Sequence, residues 1–416
     1  MAVHEDRENF IPFRKAEIVE MCCADGKMNP TQQNNFKEFC KILESYYHFE
    51  HYELTEKLKN AYYPFNPDKD TKTKREYQPE ELMAKEKEFL DSLTEVLEGA
   101  NYEKVTQEDL KKAMNEQSLF TISLDVDFDD FAQVLVFKRG ENTKTETVKK
   151  MFKTKEITMN VYERVVLYIQ FKDAEYFKAK GKKNLMFEPG STILKLFKSI
   201  PKADIEMLFP NAETKMSRVD KMVMAFPAGF GSIPVLIKVV PSLFLLSGII
   251  LTTLGVKEAG KEDSNDMKAI IQGLLGIVII CGFLFKQWVK YKNKKLAFAK
   301  ALSDNLYFKN LDNNGGVFFH LIDSAEEEEA KEAILAYYFL STTQKPLTEE
   351  QLDDSIEKWF EAKHSVKIDF EVDDAVGKLQ RLEIGKSQNG IWSVLPLDKA
   401  KERIDEVWDN IFSYNS

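Results

Sequence analysis

The sequence predicts an α-helical two-span membrane hairpin that joins an N-terminal mixed α/β cytoplasmic region to a C-terminal, mostly helical, winged-helix-like cytoplasmic region. Three observations predict it. Two long apolar runs lack charge, the hydrophobic period changes along the N-terminal part, and lysines crowd one side of the second run. The 416 residues carry 30% charged side chains and a net charge of -10, an average that hides this segregation. An acidic chain repels a polyanion, so nucleic acid is not an expected partner. Four cysteines are too few for a disulfide framework in a chain of this length, which points to a reducing compartment.

Residues 239–256 read VVPSLFLLSGIILTTLGV and residues 269–285 read AIIQGLLGIVIICGFLF. At 1.5 Å per residue each run covers about 26 Å, close to the roughly 30 Å of a hydrocarbon core. The connector, residues 257–268, is short and polar, so the two runs predict a hairpin. Lys286, Lys290, Lys292, Lys294 and Lys295 follow the second run with no acid among them, whereas the connector mixes three lysines with four acids. The positive-inside rule then places both termini in the cytoplasm, with Trp288 and Tyr291 as interfacial anchors. Residues 222–238 are apolar but contain Pro227, Gly229, Gly231 and Pro234, and are expected to be an interfacial or re-entrant segment.

Within residues 1–221, apolar side chains at helical spacing (Phe36, Phe39, Cys40, Leu43, Tyr47) predict helices over residues 10–60, and Glu80 to Leu97 predicts another. Residues 66–80 read as a loop, and Thr106 with Asp109 as a capping box. The period then becomes two in residues 120–137 and 164–171, which predicts strands. Ahead of the first run, Lys195, Lys198 and Lys202 stand at helix-like spacing beside Ile193, Leu194, Phe197 and Ile200. They predict a basic amphipathic turn resting on anionic lipid, against the plainer alternative of a packed helix with solvated lysines. Pro201, Asp204, Glu206 and Pro210 in the same segment form a candidate functional motif.

Within residues 286–416, DNNGG at residues 312–316 predicts a turn, and Glu326 to Glu329 are expected in the first turn of a helix reaching Leu340. Thr348 and Gln351 open a helix to Phe360, residues 372–382 form the next, and GKSQNG at residues 385–390 predicts a hairpin tip. Helices followed by a β-wing suggest a winged helix. Its second helix carries Glu349, Glu350, Asp353, Asp354 and Glu357, which suits a protein contact better than DNA. Residues 399–412 close the chain as an amphipathic helix.

The five histidines include no metalloprotease or other zinc-binding pattern. His48 and His51, with Glu44 and Glu50, form a weak metal-site candidate, and Cys22 and Cys23 are expected to be packed residues. No catalytic residue and no cofactor is predicted.

FKRG (residues 137–140), LKLFKSIPKADIEMLFP (194–210), the two apolar runs, LYFKNLDNNGG (306–316), KEAILAYYFL (331–340) and IDFEVDDAVGKLQRL (368–382) together resemble an uncharacterised family of membrane proteins. That family occurs in bacteria and plants and includes the mitochondrial transmembrane protein 143. The resemblance implies no catalytic or cofactor residue. Without a long targeting sequence, it implies a bacterial inner membrane protein with two spans.

The expected function is a membrane-anchored interaction, scaffolding or regulatory protein, with the lipid bilayer, a protein partner or further copies of the chain as partners. The alternatives are an oligomeric channel or transporter accessory, and an interfacial lipid-handling enzyme using Lys195, Lys198, Asp204 or Glu206.

Overall fold

The computed structural model describes residues 7–73, 75–106, 108–110, 123–150, 153–182, 185–215, 247, 264–343 and 345–412. The chain divides into two compact units: Met1–Glu116, Phe128–Ile205 and Lys309–Ser416 form one, and Gln117–Asp127 with Glu206–Phe308 form the other. A mixed α/β N-terminal region and a mostly helical C-terminal region are both present, and the two ends of the chain share the first unit.

The first unit opens with α1 (Lys15–Ala24), α2 (Pro30–Tyr62) and α3 (Pro79–Gly99). Asn29 caps α2 by accepting from the Gln32 backbone at 2.9 Å, and Gln32 answers through the Asn29 backbone, with Pro30 in the first turn. Thr106 and Asp109 exchange the expected capping contacts at 3.2 and 3.3 Å; residues 111–122, where that helix was expected to continue, lie outside the described residues. The sheet is five-stranded and antiparallel. Its order is β1 (Glu103–Lys104), β3 (Phe131–Lys150), β4 (Lys153–Phe171), β5 (Thr192–Pro201) and β7 (Asn310–Asn313). In the other unit, β2 (Ser123–Asp125) pairs with β6 (Glu213–Lys215). The short helix α4 (Ala174–Ala179) lies between β4 and β5.

Strand β5 corrects the expected basic turn. Lysines three apart share a face of a helix, but on a strand they fall on opposite faces. Lys198 thus lies on the face of Leu194 and Leu196, which are buried, while Lys195 points to the other side, half-buried opposite Leu167 and Asn313. Burial pushes the Lys195 ammonium below its ordinary value, with Asp68 opposing the shift. Lys202 begins a 3-10 helix, Lys202–Leu208, and lies 3.8 Å from Glu141. No single patch forms.

The membrane expectations are overturned as well. Residues 269–285 belong to α5 (Ser264–Lys309), a continuous 46-residue helix that runs through Lys286, Lys290, Lys292, Lys294 and Lys295 without a break. At 1.5 Å per residue it is about 69 Å long, so the apolar run is not an element bounded at bilayer thickness. Among the described residues no helix is long and apolar enough to cross a membrane. The two-span hairpin, the bilayer and anionic-lipid partner, the inner-membrane localisation and the membrane-anchored function are corrected accordingly. Residues 222–238 and, except Ser247, 239–256 lie outside the described residues, as do the side chains of Tyr291, Lys294 and Lys295. Trp288 is exposed and stacks under the Lys292 ammonium, 4.3 Å from its ring centre, a local i,i+4 contact.

Helix α6 (Gly315–Thr342) organises the first unit. Its first turns supply Val317, Phe318, Leu321 and Ala325 to a core shared with Tyr62, Phe89, Leu93, Val166, Tyr168, Leu194 and Leu196, which joins α2 and α3 to the sheet. Its later turns supply Ala333, Ile334, Tyr337 and Tyr338 to a second core with α1, the front of α2, α7 (Glu349–His364), α8 (Val372–Arg381) and α9 (Leu397–Asp409). Helices α7 and α8 are followed by the hairpin β8 (Gly385–Gln388) and β9 (Ile391–Val394), the order expected for this region. Glu326 to Glu329 are therefore in mid-helix, not at a helix start, because α6 begins eleven residues earlier, at Gly315.

Asn314 sets that start. Its φ is +47° with ψ -123°, a positive-φ conformation outside the left-handed helical region and costly for any residue but glycine. Its side-chain oxygen accepts from the Leu194 backbone and from the Tyr62 hydroxyl, each at 3.1 Å. Its backbone N–H donates to the Leu194 carbonyl at 2.7 Å, and its amide group donates to Asp68. One residue thus ties β5, α2 and α6 together. Asn314→Ala is expected to lower stability by about 2–4 kcal/mol in urea unfolding, because it strands the buried Leu194 N–H, leaves the Tyr62 hydroxyl to Thr192 alone and keeps the unfavourable φ. Asn314→Gly should recover only the backbone part of that loss.

Candidate functional site

The N-terminal strap, residues 7–14, is built from residues that satisfy their backbones on other segments. Glu8 pairs through its backbone with Lys367 and Asp369 at 3.2 and 2.9 Å, and Arg7 forms an ion pair with Glu357 on α7. Further along, the Ile11 N–H donates to Glu328 at 3.1 Å, and Lys331 donates to the Ile11 carbonyl at 2.7 Å. Strap, sheet and α6 together enclose a cleft of about 740 Å³. Glu8, Phe10 and Arg14 line it from the strap, Arg139, Asn142, Glu163 and Arg164 from β3 and β4, and Asp323, Ser324, Glu327, Glu328 and Lys331 from α6.

Gly140 and Glu163 stand opposite each other between the Arg139–Arg164 and Glu141–Tyr162 pairs of β3 and β4, and Gly140 has φ +70°. A Cβ there would lie 2.9 Å from the Glu163 Cγ, so glycine suits the position on both counts. The Glu141 backbone, next to Gly140, favours the ionised form of the Glu8 carboxyl. Burial and the nearby charge of Glu163 push the Glu8 carboxyl above its ordinary range, and Glu141 adds to the repulsion.

Arg139 is committed to the protein itself. Its guanidinium donates to the Ala100 carbonyl at 3.1 Å, lies 5.1 Å from the Phe10 ring and 4.9 Å from the Tyr102 ring, and approaches Glu328 at 4.0 Å. Among the described residues Arg164 makes one hydrogen bond, to the Glu163 carbonyl at 3.0 Å.

Behind the cleft, α6 carries a charged cluster between the two cores. Glu332 is 1% exposed, accepts from Asn101 at 3.0 Å and pairs with Lys378 of α8. Burial pushes the Glu332 carboxyl up to about 7 while Lys378 opposes the shift. Lys378, itself 6% exposed, stays cationic because Glu332, Glu329 and Asp374 surround it. His51 of α2 is buried, holds the Tyr47 carbonyl at 2.8 Å through Nδ1 and lies 3.7 Å from Glu329. His48 contacts Glu326 at 2.9 Å. These partners replace the metal site considered for His48, His51, Glu44 and Glu50: among the described residues, no group of three or more His, Cys, Asp or Glu is placed to hold a metal. Cys22, Cys23 and Cys40 are buried free thiols.

None of the lysines singled out beforehand, or of the Pro201, Asp204, Glu206 and Pro210 motif, lines the cleft; Glu327 and Glu328, expected at a helix start, do. Pro201 ends β5, Asp204 is buried in the 3-10 helix, and Glu206 and Pro210 belong to the second unit. The residues that matter were partly visible: Arg139 and Gly140 stand in FKRG, Lys331 opens KEAILAYYFL, and Arg164 opens the period-two run RVVLYIQF. No sequence signal pointed to Glu8. A second cleft of about 530 Å³ lies near the end of α6, against Met28, Phe36, Leu395 and Leu397.

Residues 162–316 match the family described as "Protein of unknown function (DUF3754)". The match supports assigning this stretch to that family and does not extend over the rest of the chain. It starts at Tyr162, includes Glu163, Arg164 and Lys198, and ends in the first turn of α6. No solved structure matches the chain.

Lys378→Met is expected to cost about 3–5 kcal/mol in denaturant unfolding, since it leaves the Glu332 carboxylate buried without its cation, and a second change, Glu332→Leu, should recover most of that. A separate pH effect resides on α7. Burial, then Glu357, Asp369 and Asp354, push the Asp353 carboxyl up to about 7. A carboxyl raised on folding contributes stability below its ordinary value of 3.8 that is lost as pH rises through about 7. Asp353→Asn should remove that loss, seen as a flatter profile of unfolding midpoint against pH over this window.

Proposed function

We propose that this chain acts by binding a small polar molecule in the cleft between the strap, the sheet and α6, and that the ligand presents a cationic nitrogen to Glu8 and Glu163. The observation that carries this reading is the Glu8 carboxyl: it stands in the cleft wall against the like charge of Glu163, and the Lys138 ammonium only partly offsets that repulsion. A bound ammonium or guanidinium relieves the repulsion and gains charge-assisted hydrogen bonds. The volume, about 740 Å³, is in the range of small-molecule sites.

Binding of arginine and of spermidine to the full chain, followed by calorimetry, tests the reading. Affinity should fall about tenfold or more for Glu8→Gln, the loss of one charge-assisted contact. It should also weaken as pH drops, beginning above the ordinary glutamate range. Ser324→Trp, which fills the cleft from α6, should abolish binding. Unchanged affinity in both variants, or no binding by either amine, overturns the reading.

We also infer that the family relation extends beyond residues 162–316. FKRG, KEAILAYYFL and the α8 segment lie outside that stretch, yet supply Arg139 and Lys331 to the cleft and Lys378 to the cluster behind it. A chain carrying only the matched stretch would lack these partners.

A further inference from the structure

Arg139 on β3, Arg164 on β4 and Lys198 on β5 are direct cross-strand partners. Partners in register share a face of the sheet, here the face that buries Phe137, Val166 and Leu196 one step along each strand. Strands are about 4.8 Å apart, so three cations stand in a row across about 10 Å. Like charges directly opposite one another destabilise a sheet. Arg139 is neutralised by its own contacts with Ala100, Phe10, Tyr102 and Glu328. The other two are not: Arg164 holds only the neighbouring carbonyl, and Lys198 is exposed and enters no ion pair among the described residues. Arg164 is partly buried in the cleft wall, so water screens it less than a surface arginine.

We propose that Arg164, in the cleft wall, and its cross-strand neighbour Lys198, outside the cleft lining, form an oxyanion subsite that takes a phosphate or carboxylate group. The planar guanidinium of Arg164 offers two parallel N–H donors to such a group, and Lys198 adds a mobile point charge from the adjacent strand. This proposal rests on the binding reading above and names the other end of the same ligand. With Glu8 and Glu163 holding a cationic nitrogen, the preferred ligand is a small zwitterion carrying an amine and an oxyanion.

Inorganic phosphate is the probe. In thermal unfolding of the full chain, phosphate should raise the midpoint relative to sodium chloride at equal ionic strength. The apparent affinity should drop about tenfold or more for Arg164→Gln and for Lys198→Gln, and be partly kept in Arg164→Lys. Without phosphate, Arg164→Gln should unfold at a midpoint equal to or above that of the unaltered chain, because it removes a repulsion. This keeps loss of binding distinct from loss of fold. Equal effects of phosphate and chloride, or an unaltered phosphate response in both glutamine variants, overturn the subsite. If phosphate binding fails while arginine and spermidine still bind and Ser324→Trp blocks them, the subsite is overturned and the cleft stands. If phosphate binding depends on Arg164 and Lys198 while both amines fail to bind, the subsite is supported and the cationic-nitrogen reading falls.

Discussion

A helix buried along most of its length must neutralise within the protein whatever charge it carries, and α6 carries a great deal. Its first turns belong to the core under the sheet and its later turns to the core of the C-terminal helices. Between them lie Glu326 to Glu329, Lys331 and Glu332. Helix α2 repeats the arrangement: Phe36 to Tyr47 serve one core, Leu58 to Tyr62 the other, and the buried polar residues His51 and Thr55 fall between. The two helices thus align a polar seam between two apolar cores. Desolvated carboxylates there are tolerable only with partners, and these come from across the chain: Lys15, Arg139, Lys378 and the backbone of the strap.

The seam also explains the location of the cleft. Where two apolar cores meet, side chains close-pack; where charged side chains must be satisfied by groups from several segments, packing leaves polar space. The strap has no secondary structure of its own to satisfy its backbone, so it uses Glu328, Lys331 and residues 367–369. Its attachment to α6 and to the segment between α7 and α8 is therefore polar, and that makes the wall it forms polar too.

A second hub works differently. Asp25, after α1, receives hydrogen bonds from Tyr338, Trp359, Lys363 and Lys27. Burial acts to raise its carboxyl, yet these donors outweigh burial and hold it well below the usual range. It fixes the end of α1 against α6 and α7 without lining a cleft, whereas the Glu8 carboxylate faces like charge. A carboxylate with donors such as Asp25 holds segments together, whereas Glu8 and Asp353, each beside like charges, are held above their ordinary range.

Helix and strand types across residues 15–62, 80–97, 131–137, 164–171 and 349–409 were legible because each element presents apolar residues at its own period, and because Thr106 and Thr348 announce helix starts chemically; the long β3–β4 extension over residues 138–150 and 153–163, mostly polar and charged, gave no such signal. The segment at residues 192–201 misled for a physical reason: apolar residues alternating with lysines fit both a helix turn and a bulged strand, and only pairing with β4 and β7 selects the strand. Residues 269–285 misled because a run of apolar side chains gives no indication of where its helix ends. By itself, the sequence determined local periodicity, caps, the turn at Asn314 and the absence of recognised catalytic motifs. Only the tertiary structure decided the cleft, the Arg139–Arg164–Lys198 row and the Glu332–Lys378 pair, because each joins residues whose meeting depends on sheet register or on helices packing hundreds of positions apart in some cases, and neither leaves a trace in local spacing.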